Sequence, residues 1–318
     1  MSANTIRAVI ILSAMVSNCW AGCCARTIEL QCRKEVTPDP VDEVLEQLRR
    51  KTAELQSYQC FVEYEVNQPT FESRTLRKGL LYYRKAGKDS ALRMNFETFK
   101  QDDEKEEKYI DQYIIKGDWL TKIDYPFDGI WLTHIDHQLK TVECHQLAEP
   151  NDSNEPLDSN ESTDAVDLVT RNFPLVGFSK IEDLKKQFQI NLVEQKGPPP
   201  VIPAKPVLSN AEGAQNHEFV QLHLKVKPDS VYKDDYTAID FWIDKKLGLP
   251  ARIIALATAE DANIEPDIYE IKFIKPKINE KMDEKVFGIK IPKGFDKPQI
   301  FPLKKAEETK DPGPKTED

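Results

Sequence analysis

Three histidines, His134, His137 and His145, stand among Asp136, Glu143 and Cys144, and all of these side-chain types can ligate a metal ion. Whether they act together depends on the strand pairing that brings them close. A hairpin turning at His137–Gln138 would set His134 opposite Thr141 and His145 opposite Ile130. The two rings would then stand roughly 13 Å apart at the usual rise per strand residue, too far for one tetrahedral ion. Ordinary polar strand faces are the plainer reading, and no metal is expected.

Other catalytic patterns break off early. His217-Glu218-Phe219-Val220-Gln221 opens like a zinc-protease helix, but Gln221 stands where the second ligand belongs, and the run is strand-like. There is no Gly-x-Ser-x-Gly nucleophile turn and no Gly-x-x-x-x-Gly-Lys phosphate loop. Asp102-Asp103-Glu104 and Glu106-Glu107 have Lys105 between them, which suits a solvated turn better than acid–base catalysis in a pocket. Neither an enzyme activity nor a cofactor is expected. The formal net charge of −10, from 54 acidic against 44 basic side chains, excludes nucleic acid as a natural partner, because backbone binding needs a basic face.

The start of the chain has the layout of an export signal: Arg7, the apolar run Ala8–Val16, then small and polar residues. That run is far below the roughly 20 residues of a spanning helix. Ala21-Gly22-Cys23 also looks like the end of a lipobox, with Trp20 in place of the usual Leu. Cleavage near Ala21 and lipidation of Cys23 both stay open. The protein is expected to be exported, either diffusing in the periplasm or held at a membrane facing it. Of the cysteines, Cys19, Cys23, Cys24 and Cys32 lie in or near the leader. Cys60 and Cys144 lie in the folded part, as a disulfide or as two buried thiols.

The spacing predicts a helix from Pro40, capped by Asp39, with Val41, Val44, Leu45, Leu48 and Leu55 on one stripe. Strands follow at Phe61–Val66, Leu76–Arg84, Ala91–Phe99, Tyr109–Lys116, Trp119–Tyr125 and Ile130–Leu139. Later strands are Gln189–Glu194, His217–Val226, the hairpin Tyr236–Thr258 and Asp267–Ile274, with an extended end at Gly288–Phe295. Ser179-Lys180-Ile181-Glu182 is a capping box that opens a second helix. Short turns between strands imply sequential antiparallel hairpins. The expected fold is α+β, mostly β: a curved antiparallel sheet, a half-open barrel, with helices lining or covering its concave face. Residues 1–22 are read as a signal and 23–39 as a linker, with one domain over 40–302 and a disordered tail at 303–318. An acidic insertion (about 147–165) and a Pro-rich loop (about 196–216) interrupt the domain.

Alternate apolar side chains recur on these strands. Leu81 and Tyr83, Met94 and Phe96, Ile239, Phe241 and Ile243, and Ile254 and Leu256 could share one face, with Thr237 beside Ile239. Packed core is one reading of that pattern, and an acyl-binding space left vacant beneath a helix is the other. The Gly79–Lys88 and Leu92-Arg93-Met94 segments, the Phe241–Arg252 hairpin with Leu249-Pro250, and Phe287-Gly288-Ile289-Lys290-Ile291-Pro292-Lys293-Gly294 together resemble the periplasmic lipoprotein carrier and sorting family. The resemblance implies a half-open barrel with a helical lid that carries acyl chains of lipids or lipoproteins as a monomer, with envelope membrane proteins as further partners. It also implies a cation at the cavity rim, here Lys85, or Arg84 if the register slips by one. The family's Arg-Pro-Gly is replaced by Lys85-Ala86-Gly87, and Lys lacks the planar fork of Arg. A regulatory or structural envelope module of the same fold with a filled interior, of the antisigma-partner type, is the alternative.

Overall fold

Asp39 accepts a hydrogen bond from Val41 N (3.0 Å) and Pro40 occupies the first turn, which starts helix α1, Pro40–Ala53. Val41, Leu45, Leu48 and Thr52 form its buried stripe, and Arg50 and Lys51 close its last turn against the helix dipole. The computed structural model describes residues 39–86, 89–117, 129–148, 181–193, 218–259, 261 and 264–302. The leader with Cys23, the linker, the strand expected over Trp119–Tyr125, the Ser179 cap, the Pro-rich loop, the tail and most of the acidic insertion lie outside those residues.

The strands are β1 (Ser57–Gln68), β2 (Ser73–Ala86), β3 (Asp89–Gln101), β4 (Glu107–Gly117), β5 (Ile130–Asp136) and β6 (Thr141–Ala148). Helix α2 (Ile181–Gln187) leads into β7 (Phe188–Val193), followed by β8 (Phe219–Val226), β9 (Tyr236–Asp244), β10 (Leu249–Ala257), β11 (Ile268–Ile278) and β12 (Gln299–Phe301). They make one curved, unclosed sheet in the order β12-β6-β5-β4-β3-β2-β1-β11-β10-β9-β8-β7. Strand β1 stands at the junction of two hairpin runs, pairing with β2 on one side and β11 on the other. Among the described pairs only β12 with β6 is parallel.

Residue alternation gives the sheet two different faces. The inner face carries Tyr58, Cys60, Val62 and Tyr64 from β1, Leu81 and Tyr83 from β2, and Met94 and Phe96 from β3. It continues through Ile239, Phe241 and Ile243 from β9, and α1 lies in the same apolar cluster. Over β4–β6 the outer face is apolar too, where Ile114, Trp131, Ile135, Val142 and Cys144 form a second cluster. Ile289, Ile291, Phe295 and Ile300 cover that cluster, so the chain after β11 runs as a strap across the outside. At one end of the strap Arg93 Nη1 donates to the carbonyls of Val286 (2.7 Å) and Gly288 (3.0 Å). At the other end β12 pairs beside β6. The segment Gly288–Phe295 is therefore no strand of the sheet.

Two β-bulges correct the sequence-based faces. Pro250 pairs with Ile243 but Arg252 pairs with Trp242, so β10 gains a residue and Ile253, not Ile254, meets Phe241. Ile254 and Leu256 consequently point outward with Asp240 and Ala238, while Ile253 and Ala255 join the inner cluster. A second register shift at Leu256/Ala257 brings Tyr236 into the inner cluster, and Thr237 is exposed.

Candidate functional site

The inner face under the helices is the surface on which the candidate acyl-binding residues converge. Leu81, Tyr83, Met94, Phe96, Ile239, Phe241 and Ile243 all lie there, each 4% exposed or less. Helix α1 is attached to this face like a flap. At its C-terminal end Asn279 Oδ1 accepts from the backbone N–H groups of Gln56 (2.7 Å) and Ser57 (3.2 Å), and Ser57 Oγ donates to the Glu280 carbonyl (2.6 Å). Those bonds fix the link Glu54–Ser57 to the end of β11. At its N-terminal end one polar tie is an ion pair between Asp42 and Lys185 of α2, with both side chains 41% exposed. An exposed pair of this kind holds weakly, on the order of 1 kcal/mol or less.

The rim cations separate. Arg84 lies on the outer face, where Nη1 donates to Glu284 Oε1 (2.6 Å) and the guanidinium sits 5.6 Å from the Phe287 ring centre. Arg84 thus fastens the strap. Lys85 follows Leu81 and Tyr83 at inner parity and is half-buried, so of the two only Lys85 has the register for the inner rim.

At the β4–β6 end, the inner face turns polar in a way that the sequence reading missed. Asp111 is fully buried, and Oδ1 accepts from His134 Nε2–H (2.6 Å) while Oδ2 accepts from the Tyr113 hydroxyl (2.9 Å) and Arg77 Nη1 (3.4 Å). The Arg77 guanidinium in turn lies 5.3 Å from the centre of the Tyr109 ring and 5.9 Å from that of Phe99. The Tyr113 ring stacks on His134 at 4.4 Å. Burial, helped by the neighbouring Asp111 charge, pushes the Tyr113 hydroxyl well up, so it remains a donor. The turn of the β5–β6 hairpin occupies His137–Lys140, and Asp136 Oδ1 accepts from the N–H groups of Gln138 and Leu139, each at 2.8 Å. That longer turn pairs His134 with Glu143 and Leu132 with His145, so the two histidines flank one carboxylate instead of standing far apart. Among the described residues no group of His, Cys, Asp and Glu is placed to hold a metal ion. The signal that could have flagged Asp111 is its parity: it alternates with Tyr109 and Tyr113 on a strand whose inner positions are otherwise aromatic or aliphatic.

No protein-family model matches the sequence, and no curated protein matches it significantly. The chain is similar to several solved structures. One is a DUF1329 family protein from Desulfovibrio piger, 12% identical, with a TM-score of 0.35 over 79% of this chain and 98% of that one. Another is a candidate outer membrane lipoprotein-sorting protein domain from Vibrio parahaemolyticus, 10% identical, with a TM-score of 0.33 over 78% and 97%. The MucA/MucB complex of Pseudomonas aeruginosa matches at 10% identity and a TM-score of 0.39, over 79% of this chain and 62% of that one. The neighbours thus include a lipoprotein-sorting domain, from the family that the sequence resembles. Likeness of this size assigns no role to any residue.

The two thiols sit on opposite faces, Cys60 in the inner cluster and Cys144 in the outer one, so they are free and buried rather than paired. Burial raises the Cys60 thiol to about 12 and also raises that of Cys144. A thiol disulfide reagent at neutral pH should therefore leave both unmodified in the native protein and modify both in urea, because the thiolate is the reacting form. Rapid modification of either one in the folded protein would contradict this burial. No described helix is long and apolar enough to cross a membrane.

Proposed function

We propose that this chain is an exported, non-enzymatic carrier that takes acyl chains of lipids or lipoproteins between the inner face of its sheet and helix α1. The observation that carries this reading is the attachment of α1. One end is fixed by a cluster of hydrogen bonds around Asn279, and the other is held by an apolar stripe and an exposed ion pair, Asp42 with Lys185. A helix held in that way can lift about Glu54–Ser57 and expose Leu81, Tyr83, Met94, Phe96 and Phe241 to a hydrocarbon chain. Each buried methylene of that chain would contribute about 0.8 kcal/mol. Lys85, at the inner parity of β2, would meet the polar end of the ligand.

Native mass spectrometry of protein isolated from an envelope fraction should show bound lipid or acylated peptide. Asp42→Ala, which releases the free end of α1, should speed uptake of a fluorescent long-chain fatty acid by up to about fivefold, the scale of one exposed ion pair. The near-complete burial of the inner side chains supports a second reading, a regulatory or structural envelope module whose interior is permanently filled. Absence of adducts, together with no probe uptake by either protein, would decide for that module and against the carrier.

A further inference from the structure

At the polar end of the inner face a buried ring atom stands unmatched. The Nε2–H of His134 is taken by Asp111 Oδ1 at 2.6 Å, but Nδ1 of the same ring has no hydrogen-bond partner. It faces Glu143 Oε2 at 3.9 Å, and the His134 side chain is 0% exposed. A bare ring lone pair turned toward a carboxylate is relieved when a cation comes between them. The described residues offer no convergent set of ligands for a metal ion, whereas a proton on Nδ1 needs none. Among the described residues, the charged and titratable groups around the ring and its carboxylates are Asp111, Tyr113 and Tyr109 on β4, Arg77 on β2, Asp136 on β5, Glu143 and His145 on β6, and His137 in the β5–β6 turn, which lies near Asp111 and Asp136 and packs on Phe295 of the strap. The carboxylates of Asp111, Asp136 and Glu143 outnumber the one fixed cation, Arg77, and a second proton on His134 redresses that balance.

Glu143 connects this ring to the sheet edge. It pairs with Gln299 of β12, and two residues on His145 pairs with Phe301. The His145 ring stacks on that of Phe301 at 4.5 Å and sets Nε2 3.5 Å from Glu143 Oε2. We propose that His134 is a proton-binding site that ties the edge of β6, and with it the β12 end of the strap, to the acidity of the surroundings. With the proton, His134 bridges Asp111 and Glu143 and holds β6 in place under β12. Without it, Glu143 faces a lone pair and the β12 end loosens, beginning to uncover Trp131, Val142 and Cys144 beneath the strap. The Arg84 and Arg93 ties at the other end keep their charge throughout, so the strap stays attached there.

Hydrogen exchange read by mass spectrometry tests this on the full chain after dialysis against a chelator. The comparison is between about pH 5.5 and about pH 7.5, which bracket the usual range of histidine charge change, after correction for intrinsic exchange. Peptides covering β6 and β12 should be roughly tenfold better protected at the acid end, the scale of one charge-assisted hydrogen bond. The peptide around Glu284 should show no such difference. Both His134→Gln and Glu143→Gln should abolish the pH difference, and since Glu143 is 19% exposed, its variant serves even if the buried one fails to fold. Nitrogen NMR should show the His134 ring taking a second proton over the same range. A ring that stays neutral at the acid end would overturn the proposal, as would equal protection in the unmodified protein or a pH difference that survives in Glu143→Gln. Zinc that restores protection at about pH 7.5, and fails to do so in His145→Ala, would overturn it in favour of a metal site.

Discussion

Gly79→Val is expected to cost the protein at least about 3 kcal/mol of stability, and to prevent folding if the reserve is smaller. Gly79 sits beside a bulge where Lys78 pairs with Thr98 but Gly79 pairs with Phe96, which brings the two backbones unusually close. A Cβ at this position would lie 1.9 Å from the Asn95 carbonyl oxygen, 2.7 Å from the Asn95 carbonyl carbon and 2.8 Å from Phe96 Cα. All of these are main-chain atoms in the middle of the sheet, so no side chain can swing aside and β2 must part from β3. Gly248 provides the control. It has φ +67°, and its added Cβ would meet Lys51 Cγ at 2.7 Å, a flexible side chain. Gly248→Ala should therefore cost only the left-handed backbone penalty, about 1–2 kcal/mol. Urea unfolding followed by far-UV circular dichroism separates the two, and similar midpoints for both variants would refute this account of Gly79.

The contrast shows what the sequence could and could not convey. Long alternating strands were legible because burial on one face imposes a period of two: Leu81 and Tyr83, Met94 and Phe96, and Ile239, Phe241 and Ile243 all fall on the inner face as expected. A single helix with one apolar stripe and a capped start was legible for the same kind of reason. What failed was parity across irregularities. Ile253 and Ile254 are chemically identical, so nothing local says which faces inward. The answer came from the added residue between Pro250 and Arg252, a feature of pairing and not of composition. The histidine pair failed likewise, because a four-residue turn in place of a two-residue one slides the whole register and brings Glu143 opposite His134.

The strap was half legible. The segment Phe287–Gly294 stood out by its resemblance to a family motif, yet Gly288–Phe295 read only as an extended end, whereas its Ile289, Ile291 and Phe295 cover the outer face. A three-residue strand such as β12 is too short to carry a periodic signal, and its parallel pairing with β6 depends on where the strap lands. Arg84, a rim cation only if the register slipped by one, instead meets Glu284, which lies far along the chain. Long-range pairs of that kind are set by the tertiary fold, which local pattern does not encode.

Asp111→Ala is expected to destabilise the protein by about 3–5 kcal/mol, the cost of removing one partner from a buried charged set. Its carboxylate receives hydrogen bonds from His134, Tyr113 and Arg77, and the Asp111 and His134 side chains are both 0% exposed. Truncation leaves the Arg77 charge facing aromatic rings without its counter-ion, and leaves two buried donors without an acceptor. For a chain of this size the melting point should fall on the order of 10 °C. Removing the cation as well should recover part of the loss, because Arg77→Met fills the space between Phe96, Phe99 and Tyr109 without a charge to compensate. The double variant Asp111→Ala/Arg77→Met should thus be less destabilised than the sum of the single changes by at least about 1 kcal/mol. Strict additivity in urea unfolding would mean that Arg77 and Asp111 are neighbours without being coupled, and the polar end of the inner face would then be no unit at all.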